Sequence, residues 1–282
     1  MVGLLLSLLL FWAYLALLSL GLQFIYGSAR VLNLAHASFF VLGGYLASYF
    51  ANWIPLAASI AVAAAAGAAA GALFYFYIRW ARDETTQLFL TYSLFWLMEA
   101  LFRTAFGYGL YNTTRQALAL GSVTVADQQV PVAGLIGVLA MLTAMALLYL
   151  LVYKTTFGMF LRAAVDRPDV AVAFGVPVER AALLGIALGS AVAAFGGAVS
   201  SMWQNFSIGL AGSLLVYAFA AVAISGLGSL FGVLASSLII SAIRSAAVYY
   251  FPELEIFAIY IAVLAVLAVR PQGLFVRYER RV

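Results

Sequence analysis

Asn33 and His36 are polar residues that lie within a long apolar stretch of the sequence. They are three residues apart, so on a helix they would share one face. Polar groups in such surroundings are costly unless they face a cavity or another helix, which favours a broken helix here over a simple loop. The alternative interpretation is that His36 is a core histidine bonded to a backbone carbonyl.

A second polar interruption is the glycine-rich stretch Ser225–Ser229, which follows a short apolar run over residues 213–224. A break between two short apolar helices is typical of a discontinuous helix that lines a pathway, and a plain hairpin turn is the alternative. We hypothesise that the two interruptions converge near a subunit interface and line the route of an uncharged or zwitterionic solute. The predicted pathway residues are Asn33, His36, Ser225, Gly226, Gly228 and Ser229.

Charge is dense in one internal segment, Phe157–Glu179. An apolar run predicts a first short helix, and Asp166 and Pro168 are a cap and a first-turn residue for a second helix over Asp169–Phe174. Gly175 is the expected C-cap, and a proline two residues later prevents continuation. Two short helices between hydrophobic spans would lie at the cytoplasmic surface and contact a partner. An ordinary solvated loop is the alternative.

The side chains of this segment suggest how a partner would be held. Its apolar residues would fill a groove, and its charged residues would form a polar rim around them. The expected apolar anchors are Met159, Phe160, Val170 and Phe174. The expected rim residues are Arg162, Arg167 and Asp169.

The sequence lacks the usual motifs of catalysis and nucleotide binding. The only lysine is Lys154, and no phosphate-loop glycine pattern precedes it, so any ATP would be bound by another subunit. No Ser/His/Asp set, carboxylate pair or HExxH motif occurs. With one histidine and no cysteines, a metal cluster and disulfides are excluded. We therefore predict a chain that is not an enzyme, holds no cofactor and binds no nucleic acid.

Composition indicates the elements that must position these residues. The chain is 66% hydrophobic and 9% charged, and its charge-free runs are long enough to cross a bilayer several times. We predict an all-α polytopic membrane protein, a single transmembrane domain over residues 1–282 with eight or nine helices, one of them broken or re-entrant. The first apolar stretch lacks a basic start and a cleavage site, so it is predicted to be a transmembrane helix.

Three local expectations follow for the spans and loops. Gly67 and Gly71 form a GxxxG pattern, which predicts close helix packing in an alanine-rich span. Glu99 and Arg103 are four residues apart and are expected to pair near the outer end of a helix. The polar connection over residues 107–130 is expected outside the membrane, with a small hairpin or an extended strand.

Basic residues predict the orientation of the chain in the cell membrane. Arg79, Arg82 and the charge-dense segment are placed in the cytoplasm, as is the basic tail with Arg277, Arg280 and Arg281. This arrangement puts the N-terminus outside and the C-terminus in the cytoplasm.

Four stretches in matching order resemble the LivH-type permeases of branched-chain amino acid ABC importers. They are YGSARVLNLAHASFFVLGGYLA (26–47), GMFLRAAVDRPDVAVAFGVPVERAALLGIALGSAVAAFGGAV (158–199), FAAVAISGLGSLFGVLASSLI (219–239) and RPQGLF (270–275). By this resemblance, Phe157–Glu179 docks into an ATP-binding subunit and belongs to a coupling segment of about residues 154–180. The positions that match the family's loop are Arg162, Asp166, Ala171 and Gly175.

The resemblance also implies partners and a class of solute. The expected partners are ATP-binding subunits, a second homologous permease subunit, an extracytoplasmic substrate-binding protein and the lipid bilayer. Branched-chain amino acids, amides, urea and aromatic acids all fit the resemblance. A secondary transporter or a channel for a small polar solute is the alternative. The first would need titratable groups in mid-membrane, and Glu99 is the one acid inside a predicted span.

Overall fold

Helices make up most of the part of the chain that the structure describes. The computed structural model describes residues 2–81, 83–125, 128–166 and 168–275. In chain order the elements are α1 (Val2–Ala29), α2 (His36–Phe50), α3 (Leu56–Ile78), α4 (Glu84–Phe106), α5 (Thr114–Leu118), β1 (Ser122–Val125), β2 (Gln128–Pro131), α6 (Val132–Lys154), α7 (Thr156–Asp166), α8 (Pro168–Ala173), α9 (Val178–Ser200), α10 (Leu210–Ser225), α11 (Leu230–Tyr250), a 3-10 turn (Pro252–Leu254) and α12 (Glu255–Val269).

The core of the bundle is built around α1 and α9. The middle of α1 is enclosed on every side, since the four consecutive residues Leu15, Ala16, Leu17 and Leu18 are fully buried. A helix that is apolar all round and buried all round belongs at the centre of a bundle. α9 packs against α1, α2 and α3, while α12 and much of α4 expose large apolar side chains. These exposed faces suit lipid or a neighbouring subunit.

Small residues bring α3 and α9 into close contact, as the GxxxG pattern predicts. Gly67 and Gly71 lie on the buried face of α3. A Cβ at Gly71 would come within 2.7 Å of the Ser190 Cβ and 2.9 Å of the Ile186 carbonyl oxygen. Glycine therefore sets the distance between the two helices at this crossing.

Helix lengths distinguish full spans from partial ones. Among the described residues, six helices are long and apolar enough to cross a membrane: α1, α3, α6, α9, α11 and α12 with its preceding turn. α2 has 15 residues, about 22 Å at 1.5 Å per residue, which is less than a bilayer core. The predicted count of eight or nine adds α2, α4 and α10 to these six, and it stays a prediction.

Polar residues organise the connections. Asp83 caps α4, because its carboxylate accepts hydrogen bonds from the Thr86 backbone N–H and hydroxyl, both at 2.8 Å. These bonds favour the ionised form and lower the pKa of Asp83. Between α5 and α6, β1 and β2 form an antiparallel hairpin, which confirms the small hairpin expected there.

The expected pair between Glu99 and Arg103 does not form. Glu99 is buried, and its Oε2 accepts a hydrogen bond of 3.2 Å from the backbone N–H of Gly209 at the start of α10. Arg103 lies instead over the Tyr108 ring, 5.9 Å from its centroid. Spacing along one helix cannot reveal that the N-terminus of another helix offers the carboxylate a donor.

Candidate functional site

The helix break predicted near His36 lies between the end of α1 and the start of α2. Arg30 follows the last residue of α1. Its φ of 53° lies in the left-handed region, where residues other than glycine are uncommon. Asn33 then forms a turn, since its Oδ1 accepts the Ala35 N–H at 2.9 Å and its carbonyl accepts the His36 N–H at 3.2 Å. Asn33 therefore precedes α2, and the expectation that it shares a helical face with His36 is wrong.

His36 is the first residue of α2 and is fully buried between helices. Its Nε2 lies 3.0 Å from the carbonyl oxygen of Leu18 in the middle of α1, so Nε2 carries the proton and donates. Gly21 leaves room for the ring, since a Cβ at this position would come within 2.9 Å of Nε2. His36 thus fastens the start of a short helix to the centre of the bundle.

The second break, at the end of α10, is held by partners far away in the sequence. Gly226 has φ 82° and Gly228 has φ 93°, and the carbonyl of Gly226 accepts a 2.9 Å hydrogen bond from Gln23 Nε2. Ser225 is buried and donates to the Val222 carbonyl at 2.9 Å. Ser229 caps α11 by accepting the Gly232 N–H at 3.0 Å. The role of Gln23 has no signal in the sequence, because only the fold places it here.

Residues 270–275 complete this break with backbone hydrogen bonds. The Leu274 N–H donates to the Ile224 carbonyl at 2.8 Å, and the Phe275 N–H donates to the Ser225 carbonyl at 3.1 Å. The last carbonyls of a helix have no partner within it, so the stretch RPQGLF satisfies two of them.

A cavity of about 450 Å³ brings the two breaks together, and we call it the break cavity. It is lined by Leu32 from the first break and by Gly226 and Leu227 from the second. Its other walls come from α10, α12 and the segment after α12: Phe219, Val222, Ala223, Leu267, Pro271 and Gln272. Gly226 is the one predicted pathway residue among these lining residues, and the side chains of Asn33, His36 and Ser225 are buried.

A second cavity, of about 280 Å³, lies between α10 and α12, near the starts of both helices, and we call it the tyrosine cavity. Its walls are Gly212, Ser213, Val216, Tyr217, Ile256, Ile259 and Tyr260. Positions 212, 216, 219, 223 and 226 follow a spacing of four and three, which is one face of α10. The two cavities therefore lie along a single face of that helix.

The coupling segment projects from the ends of α6 and α9 as two short helices, α7 and α8. α8 spans Pro168–Ala173, close to the second helix expected over Asp169–Phe174. Its end is a Schellman motif: the Gly175 N–H donates to the Val172 carbonyl, and the Val176 N–H donates to the Ala171 carbonyl, each at 2.9 Å. With φ 79°, Gly175 is the terminating residue, as predicted.

Apolar side chains are prominent on this projection. Phe174 is 84% exposed, Phe160 is 41% exposed, and Met159, Val170 and Val172 are also exposed. Asp169 is exposed in the first turn of α8.

Arg162 has a contact that differs from the expected rim position. Its guanidinium donates to the Val152 carbonyl at the end of α6 and lies 5.3 Å from the centroid of the Tyr153 ring. Arg162 therefore fixes α7 to α6. Arg167 and the side chain of Asp166 lie outside the described residues.

Within the described part of the chain, no group of three or more His, Cys, Asp or Glu residues could hold a metal ion.

Helices long and apolar enough to cross a membrane, interrupted beside a cavity, are typical of membrane transport proteins. The chain belongs to the family described as branched-chain amino acid transport system, permease component, whose pattern matches residues 4–269. This is a transport family and not a class of enzymes, and it confirms the resemblance to LivH-type permeases.

Two known proteins are similar to the chain. A probable branched-chain amino acid transport permease protein LivH from Methanocaldococcus jannaschii is 34% identical over 103 residues, which is 36% of this chain and 33% of the relative. The match thus spans about a third of each protein. The structure of PsaBC from Streptococcus pneumoniae in complex with Fab matches with a TM-score of 0.50 and 17% identity, over 93% of this chain and 88% of that chain. At this identity the likeness concerns the fold alone.

Proposed function

We propose that the chain is the permease subunit of an ABC importer, and that it forms the translocation route for branched-chain or related amino acids. ATP is bound by separate subunits, a second homologous permease subunit completes the route, and an extracytoplasmic binding protein delivers the solute. The family and the LivH-type relative support this class of solute.

The observation that carries the proposal is the exposed apolar surface of the coupling segment. The two short helices pack one side against α6 and α9, while Phe174 is 84% exposed and Phe160 is 41% exposed. Exposed apolar clusters of this kind mark protein interfaces. The Schellman end at Gly175 and the tie from Arg162 to α6 make the projection rigid, so movement of a docked ATP-binding subunit would be transmitted to α6 and α9.

The proposed route follows the face of α10 that carries both cavities. At the level of the breaks it passes Leu32, Ser225, Gly226, Gly228 and Ser229, where backbone groups replace regular helix. Non-helical backbone at membrane depth is tolerated where it is buried in protein or lines a cavity, and the break cavity has this character. Asn33 and His36 support the route from behind, and their contact with solute would require movement of α1 or α9.

The proposed orientation has the N-terminus outside and the C-terminus in the cytoplasm. It places Arg79, Lys154 and the coupling segment on the cytoplasmic side, and the β1–β2 hairpin on the other.

Uptake by the reconstituted importer tests the proposal. Proteoliposomes that contain the chain with its cognate ATP-binding subunits, second permease and binding protein should accumulate radiolabelled leucine only with ATP. ATP-binding subunits with an inactivated phosphate-loop lysine are the matched control and should give no accumulation. Leucine entry that follows its gradient without ATP would identify a channel or a secondary transporter instead.

A further inference from the structure

Three polar side chains from three different helices meet beside the tyrosine cavity, and no pathway residue predicted from the sequence is among them. Arg244 of α11 places its Nε 2.8 Å from Glu255 Oε1 at the first position of α12. The hydroxyl of Tyr217 on α10 donates to the same oxygen at 2.5 Å. The side chains of Arg244 and Glu255 are 29% and 22% exposed.

Aromatic rings hold the guanidinium in place. The Arg244 Cζ lies 4.1 Å from the centroid of the Phe11 ring and 5.8 Å from that of Tyr217. Phe11 in turn packs edge-on against Tyr14 and Tyr217, with centroids 4.9 and 5.3 Å apart. A planar cation held on an aromatic face is preorganised for a carboxylate, because little side-chain freedom remains to be lost.

A charge pair at this position is not explained by stability. Arg244 lies six residues before the end of α11, and charged residues within spans are energetically expensive and usually functional. A partly exposed ion pair contributes little to the stability of the fold. The Glu255 carboxylate can also accept a further hydrogen bond, since none to its Oε2 is found within the residues that the structure describes.

The tyrosine cavity supplies an apolar wall next to this charged pair. Tyr217 belongs to both, and the cavity continues along Val216, Ile256 and Ile259. Its volume of about 280 Å³ is close to the lower limit, roughly 300 Å³, of sites that hold small molecules. One cation, one anion and an aliphatic wall are thus placed side by side.

We propose that Arg244, Glu255 and Tyr217 recognise the zwitterionic main chain of a small aliphatic amino acid, whose side chain occupies the tyrosine cavity. The carboxylate of the solute binds the Arg244 guanidinium, and its ammonium binds Glu255. Arg244 exchanges the Glu255 carboxylate for the carboxylate of the solute, and Glu255 exchanges the Arg244 guanidinium for the ammonium of the solute. Neither charge is therefore left unpaired. This inference rests on the proposed function and selects free aliphatic amino acids over urea and amides, which lack the two charges.

Saturation-transfer NMR on the purified importer in nanodiscs tests this site directly and does not depend on uptake. L-leucine should receive saturation at its methyl groups. 4-Methylpentanoate lacks the ammonium and 3-methylbutylamine lacks the carboxylate, so both should give much weaker signals. Arg244→Gln and Glu255→Gln should each reduce the leucine signal about tenfold or more, because each removes one partner of a charge-assisted contact. Tyr217→Phe should reduce it about threefold, the value of one hydrogen bond.

Matched controls come from exposed charged residues outside the cluster. Arg103→Gln and Glu253→Gln should leave the leucine signal unchanged, since neither residue lies in the cluster. Size-exclusion profiles establish that each variant is folded. If Arg244→Gln does not fold, Tyr217→Phe decides, because it removes a single hydroxyl.

The outcomes separate this inference from the proposed function. A parent importer that accumulates leucine but shows no leucine signal overturns the site and leaves the function intact. Folded Arg244→Gln and Glu255→Gln variants with the parental signal also overturn it, and make the pair a structural link between α11 and α12. Equal signals from leucine and 4-methylpentanoate would exclude recognition of the ammonium by Glu255.

Discussion

Single buried side chains hold this bundle together where its helices are interrupted. His36 bonds the middle of α1, Gln23 bonds the carbonyl of Gly226, and Glu99 accepts from the N–H of Gly209, the N-cap of α10. Each of these bonds joins a helix end or a break to another helix. In an apolar medium the backbone groups at helix ends have no water to bind, so the polar side chains are structural requirements of broken helices.

His36→Ala should therefore lower the apparent melting temperature of the purified protein. The change removes a fully buried ring and its hydrogen bond to Leu18, which together stabilise the fold by roughly 2 kcal/mol or more. A thermal-shift assay in detergent measures the effect, and uptake should fall only in proportion to the folded protein. His36→Gln keeps a donor and is the conservative control. Lost uptake at parental melting temperature would instead place His36 in contact with solute.

At the scale of elements, the crossing of α3 and α9 depends on the absence of side chains. Gly67 and Gly71 allow α3 to approach Ser190 and Ala194 of α9. Dispersion between closely packed backbones is a main source of helix association in lipid, where apolar burial offers no driving force.

Gly71→Ile should push these two helices apart. The added side chain meets Ser190 and the Ile186 carbonyl, and overpacking of this kind costs about 1–3 kcal/mol. Ala69→Ile is the matched control, because Ala69 lies two residues away on the exposed face of the same helix. Lower folded yield and melting temperature are expected for the first variant and not for the second. Equal behaviour of the two would refute the close crossing.

A separate prediction concerns the binding of the coupling segment to the ATP-binding subunits. Phe174→Ala should weaken copurification with the ATP-binding subunits, because truncating an interface aromatic typically costs about 2 kcal/mol. Gly175→Val should have a similar effect, since a β-branched residue at φ 79° disfavours the Schellman end of α8. Both proteins should remain in the membrane at near-normal levels.

An exposed aromatic outside the segment supplies the control for these variants. Tyr108→Ala removes a ring that is 79% exposed beside Arg103, and it should copurify as the parent does. Parental copurification and uptake for Phe174→Ala and Gly175→Val would show that the segment is only a solvated loop.

The elements were predictable where local rules determine them. The packing face of α3 set by the GxxxG pattern, the hairpin after α5 and the end of α8 at Gly175 each depend on residues close in sequence. Partners across the bundle were not predictable. Glu99 was assigned to Arg103 by spacing, and its actual donor, Gly209, is 110 residues away. The pairing of Arg244 with Glu255 was missed because it depends on how α11 and α12 turn toward each other.

At the scale of the whole molecule, the orientation of the chain determines which side of the membrane each cavity lies nearer to. The chain has no cysteine, so single cysteines report on topology without further substitutions. Ser122→Cys on the exposed hairpin should react with an impermeant maleimide added outside intact cells. Gln272→Cys, after α12, should react only after the membrane is opened. Reaction of both from the same side would refute the proposed topology.

The backbone hydrogen bonds between residues 274–275 and the end of α10 also constrain how the protein is made. Translation proceeds from the amino end, so α10 is synthesised before Leu274 and Phe275 exist. Until then the carbonyls of Ile224 and Ser225 lack these donors, and unsatisfied backbone groups in lipid cost several kcal/mol. The second break is therefore finished only after α12 has been synthesised. A nascent chain released before this point would therefore carry a helix end whose last carbonyls lack these donors.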